Sequence, residues 1–230
     1  MPNAERCLAG NVAQVAGATR EGGRGIAVAL GFRAQRGGGV VVGLSLAAGS
    51  PQLLLSTFLA TAAEGDRLAF EPYHVAFEMP RGPAGEVSPQ VVAAVAEGRR
   101  RQVELARTGL DALLRRVREL GGEPVVAALL VNRVGWLTDL LEHSLSAPEH
   151  PPVHEGLAVR EALRSAFGRS GRPTTEMDEK LLPEAASVVL GLSPAELDAR
   201  MKLLGAAAGK PWRKEQKAAC LAAWVALVAR

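Results

Sequence analysis

The stretch "PVVAALLV" (residues 124–131) is an unbroken apolar run with no polar position to mark a solvent-facing side. That pattern fits a central strand covered on both faces, the situation of a strand in parallel pairing. A parallel partner needs a crossover, and the preceding residues supply one. Ser88 reads as an N-cap with Pro89 at the first helical position. Apolar residues at 91, 92, 95, 103, 106, 110, 113, 114, 117 and 120 then keep a helical period as far as "GGE", which predicts one long helix over 89–120.

Upstream of that helix lie three runs of strand length: "GIAVALGFRA" (25–34), "VVVGLSLA" (40–47) and "QLLLSTFLAT" (52–61). Connections as short as "QRGGG" and "AGSP" permit only antiparallel neighbours, so these strands form a meander. The polar stretch after them, with "EPYH" and "MPRGPAGEVSP", reads as a linker. Residues 1–24 are small and Gly-rich, and are expected to be an extension, a short helix or disordered, ahead of a single domain over 25–230.

Downstream, "GLAVREALRSAFG" (156–168) is an amphipathic helix, and "RPTTEMDEKLL" (172–182) can supply a fifth, edge strand. Ser193-Pro194 with Glu196 starts a further helix, and "PWRKEQKAACLAAWVALV" closes the chain with a helix apolar on most sides. The expected fold is α/β, a five-stranded mixed sheet of three antiparallel and then parallel strands, flanked by helices. The order β-β-β-α-β-α-β-α is similar to the ribonuclease H-like fold of ribonucleases H and Holliday-junction resolvases.

The chain also resembles a bacterial family of this fold through Gly31, Phe32, Arg33 and Ala34; Pro72, Tyr73 and His74; Glu155, Gly156 and Arg160; and Pro211, Trp212, Gln216, Lys217, Ala218, Ala219, Ala222, Ala223 and Trp224. The resemblance covers most of residues 25–229 and brings no activity with it. Active resolvases and ribonucleases H carry acids in the first strand, at the end of the fourth and in the last helix, where they hold two Mg²⁺ ions. Here the first strand offers Arg33, the fourth ends in Asn132 and Arg133, and the last helix offers Glu215 without an aspartate.

Composition narrows the class further. In 230 residues, 48% are hydrophobic and 22% charged, as in an ordinary globular protein. The net charge of +3 comes mostly from arginine, lysine standing only at 180, 202, 210, 214 and 217. A GC-rich coding sequence also yields that bias, so charge alone does not point to nucleic acid. Cys7 and Cys220 make no disulfide framework, and no basic-then-apolar leader is present, so a cytoplasmic location is expected. The uncharged span 37–63 is interrupted by "AAGSPQ" and is not a membrane segment.

If the first, third and fourth strands end at one edge, the loops after them bring His74, His143, His150 and His154 together there. With Glu142, Glu149 and Glu155 as supporting carboxylates, these four could ligate a divalent metal (Zn, Mg or Mn), and His150, His154 and Glu155 could act as catalytic acid–base groups. The pair His150 and His154 has helical spacing, yet Pro151 and Pro152 argue against a helix there.

Candidate ligand contacts are Arg33, Tyr73, His74, Trp212, Lys214 and Glu215. Trp212, Arg213 and Lys214 could stack on a nucleotide base, or the tryptophan could close the core. Arg99, Arg100, Arg101, Arg115, Arg116 and Arg118 could face phosphates, but interspersed Glu97, Glu104 and Glu119 favour a solvated helix face. "GAAAGKP" (205–211) lacks the Ser or Thr of a phosphate loop, and "GFRAQRGGG" joins two strands, so neither is a nucleotide motif.

Two functions remain open: a ligand-binding or interaction module without the carboxylate cluster, using the histidine-rich edge, or a metal- or histidine-dependent nuclease acting on nucleic acid or nucleotides. Half of a kinase-like fold is a third, against which the single copy and the missing phosphate loop count. The uncharged third strand would invite pairing with a second copy as a homodimer.

Overall fold

In the computed structural model, residues 25–82, 86–132, 139–146 and 151–230 are described. The strands β1 (Ile26–Gln35), β2 (Gly38–Ala47), β3 (Ser50–Ala60), β4 (Gly122–Val131) and β5 (Thr174–Asp178) form one mixed sheet in the order β3-β2-β1-β4-β5. β1 and β2 are antiparallel, as are β2 and β3, whereas β4 runs parallel to both β1 and β5. The apolar run 124–131 is therefore an interior strand, with Ala128, Leu129 and Leu130 fully buried or nearly so. Parallel pairing of β1 with β4 sets Arg33 opposite Leu130, so both strands finish at the same edge.

The crossover is α3 (Pro89–Glu119), capped by the Ser88 hydroxyl, which accepts from the Val91 amide. Its apolar stripe of Ala106, Leu110, Leu113 and Val117 packs on one face of the sheet beside α5 (Pro151–Ser170). The arginine-rich side of α3 is a solvated face: Glu97 binds Arg100 and Arg101, and Glu104 binds Arg107. The other face of the sheet is covered by α6 (Leu182–Leu190), α7 (Pro194–Ala208) and α8 (Lys214–Val228).

The alanines of α8 are explained by Gly31. A Cβ built there would stand 1.8 Å from the Ala219 carbonyl oxygen and 2.9 Å from the Ala223 amide nitrogen, so the helix backbone rides directly on β1. Only small residues on the facing turns permit that approach, and Ala219, Ala222 and Ala223 are fully buried.

Three expectations need correction. The "EPYH" linker is helical, with α1 (Arg67–Phe70) and α2 (Pro72–Glu78) following the meander. α6 was not anticipated between the fifth strand and Ser193. Pro151 and Pro152 do not bar a helix: they open α5, where a missing N–H costs no intrahelical bond. The short helix α4 (Leu140–Ser146) lies between β4 and α5 in the chain. Residues 1–24 lie outside the described residues. Among the described residues, no helix is long and apolar enough to cross a membrane.

Candidate functional site

The edge where β1 and β4 end opens into a cleft of about 1400 Å³. It is walled by the end of β1, Phe70 of α1, Asn132, the first turns of α5, the chain from Asp178 into the start of α6, Met201 of α7 and the start of α8. Seven of its lining side chains are cationic: Arg33, Arg36, Arg160, Lys180, Arg213, Lys214 and Lys217. Among the described residues its lining carboxylates are Asp178 and Glu179, and Glu215 and Glu71 reach Arg33 and Arg36 from beside it. Sequence reasoning singled out Arg33 and Lys214 but not Arg36, Lys180 or Lys217 as site residues. A signal was present, because three of the five lysines in an arginine-dominated chain line this one cleft.

Arg33 lies toward the end of β1. Its Nε donates to Glu179 Oε1 at 2.9 Å, and its Nη1 stands 3.8 Å from Glu215 Oε1. Both carboxylates nearest the strand end thus already face a guanidinium. A divalent cation would have to displace or repel that fixed positive charge, so the residues present do not fit a two-metal centre. Among the described residues, no three His, Cys, Asp or Glu side chains come together as metal ligands.

The described histidines, His74, His143 and His154, do not converge on the cleft. The cleft is lined by Pro152, Val153, Gly156, Leu157 and Arg160 of α5, and His154 and Glu155 lie on the opposite side of that helix, fully buried. There His154 Nε2 lies 2.6 Å from His143 Nδ1, which requires one ring to donate and the other to accept, so both cannot be imidazolium at once. The His74 ring turns elsewhere and lies 3.3 Å from Glu78. His150 and Glu149 lie outside the described residues.

Glu155 ties these helices together. Its Oε1 accepts from the backbone amides of Tyr73 and His74, both at 3.0 Å, which lie in the first turn of α2. α2 has no side-chain cap of its own at Glu71, so the buried carboxyl from α5 does that work. Burial pushes the Glu155 carboxyl up to about 8, against the pull of those two amides. Its Oε2 is buried with no hydrogen-bond partner among the described residues. Tyr73 is also buried, beside the His154 ring, and burial raises its hydroxyl's pKa while Arg99 opposes the shift.

Tyr73 and His74 are therefore a helix start anchored in the interior. Trp212 lines the cleft but closes the core as well: its Nε1 donates to the Met201 carbonyl at 3.1 Å, and a Cβ at Gly205 would lie 2.3 Å from the indole. Lys214 and Glu215 sit in the first turn of α8 beside Arg33, with Lys214 exposed.

No protein-family model and no curated protein matches the chain. Solved structures do. Thermus thermophilus RuvC aligns with a TM-score of 0.50 at 12% identity, covering 88% of this chain and 95% of that one. T. thermophilus RuvC in complex with a Holliday junction substrate aligns with the same TM-score at 13% identity, covering 88% and 94%. The chain thus has the ribonuclease H-like fold of these resolvases, with a cationic cleft at the edge where its parallel strands end.

Proposed function

We propose that the protein binds nucleic acid in the cationic cleft and does not hydrolyse it by the two-metal route. The observation that carries this reading is the excess positive charge of the strand-end cleft: of its seven lining cations, Arg33 and Arg36 are paired with Glu179, Glu215 and Glu71, whereas Lys180, Arg213, Lys214 and Lys217 are exposed. A groove of that sign attracts a phosphate backbone through counterion release. The solved RuvC complex, which holds a Holliday junction substrate, supports nucleic acid as the ligand class for this fold. The partly buried His143 and the buried His154 and Glu155 serve the scaffold behind the cleft wall and not the chemistry in front of it.

The test is fluorescence anisotropy with a labelled four-way junction and a labelled single strand over a range of salt. Log affinity falls linearly with log salt. The double variant Lys214→Ala/Lys217→Ala lowers the slope by about 1.4 to 1.8, the value for two lost phosphate contacts. Binding with an unchanged slope in that variant places the nucleic acid elsewhere on the molecule. No binding to either ligand at low salt removes the proposal.

A further inference from the structure

The cations of the cleft differ in how their charge is balanced. Arg33 has Glu179 and Glu215, and Arg36 has Glu71 at 3.3 Å and the Phe70 ring at 5.2 Å. Lys180, Arg213, Lys214 and Lys217 are exposed, so water solvates them. Arg160 has neither arrangement. It is partly buried, its Nη1 donates to the Asn132 carbonyl at 3.2 Å, and its Nε is buried with no acceptor among the described residues. The nearby carboxylates are taken: Arg164 binds both Glu161 and Glu176, and Arg33 binds Glu179.

Burial disfavours the charged form of Arg160, and Arg164 adds to the effect. A guanidinium cannot relieve that by losing its proton, because it stays charged at any working pH. Glu176, Glu179 and Glu161 offset part of this at a distance, and an anion on its cleft-facing side would supply the direct contact that none of the described carboxylates makes with its Nε. The planar fork suits the oxygens of a phosphate, and the Asn132 carbonyl fixes the fork's orientation.

We infer that Arg160 holds one phosphate group of the ligand, as a defined subsite within the cleft. The inference rests on the nucleic-acid reading only for where that phosphate comes from. An internal phosphodiester, a terminal phosphate and free phosphate share the same chemistry.

The experiment is thermal unfolding of the full chain in inorganic phosphate and in chloride at equal ionic strength. Phosphate at about ten times its dissociation constant raises the wild-type Tm by roughly 3 °C. The rise survives in Arg107→Ala, on the solvated face of α3, and is lost in Arg160→Gln, which in chloride is at least as stable as wild type. An equal rise in Arg160→Gln overturns the assignment. If Arg160→Gln does not fold, Arg160→Lys, which keeps the charge and loses the fork, shows a diminished rise; an undiminished one overturns the assignment equally.

Oligonucleotides with a 5′-phosphate or a 5′-hydroxyl then separate the sources. Tighter binding of the phosphorylated strand identifies a terminal phosphate. Equal binding, with about a tenfold loss in Arg160→Gln, identifies an internal one. A phosphate-dependent rise with no oligonucleotide binding keeps the subsite and removes the nucleic-acid reading.

Discussion

Replacing Glu155 by glutamine tests whether the buried carboxyl serves the scaffold. Glutamine keeps an oxygen to accept the Tyr73 and His74 amides and removes the ionisable proton. Burial has raised this carboxyl from 4.5 to about 8, so between those values the native chain holds a proton that the unfolded chain has released. The resulting stability is fully present below about pH 4.5 and is lost as pH rises through 8. At about 1.4 kcal/mol per pH unit, the wild type loses on the order of 4 kcal/mol by about pH 9. Guanidinium unfolding of both proteins near pH 5, 7 and 9 reads this directly. The glutamine variant gains on wild type steadily across the range and is the more stable at the top. Any fixed cost of burying the amide shifts its whole curve and leaves the trend. Parallel pH dependences of the two proteins would refute the reasoning.

Gly31→Ala forces a Cβ into the backbone of α8 and costs about 2–3 kcal/mol, seen as a lower denaturation midpoint. It also weakens binding in the cleft, since Lys214 and Lys217 move with that helix. The edge strand β3 carries no charged side chain and is expected to pair with a second copy, so light scattering gives about twice the 24.1 kDa chain mass. A strict monomer removes that expectation.

The sheet was legible because its signals are local. An apolar run at 40–47 broken only by Ser45, and an uninterrupted one at 124–131, with Gly-rich joints between the early strands, carry strand type and pairing in the residues themselves. α2 was missed although Pro72 stands at its first helical position, because its cap comes from Glu155, 82 residues from Tyr73 in sequence, and Glu71 supplies none. The prolines before His154 misled for a related reason: they read as helix breakers until the chain is known to begin a helix on them.

The site divided in the same way. Topology brought Arg33, Lys214 and Glu215 to one edge as expected. The rotation of α5 about its axis then sent Arg160 into the cleft and His154 away from it, and no count of histidines carries that information. Trp212 lines the cleft and closes the core, its indole donating to the Met201 carbonyl.

Incubation of the protein with an end-labelled four-way junction in Mg²⁺ or Mn²⁺, followed by native and denaturing gels of the same reaction, tests the central claim most directly. The account predicts a retarded complex whose DNA strands remain full length in either metal. Metal-dependent cleavage that tracks the protein through purification would contradict it.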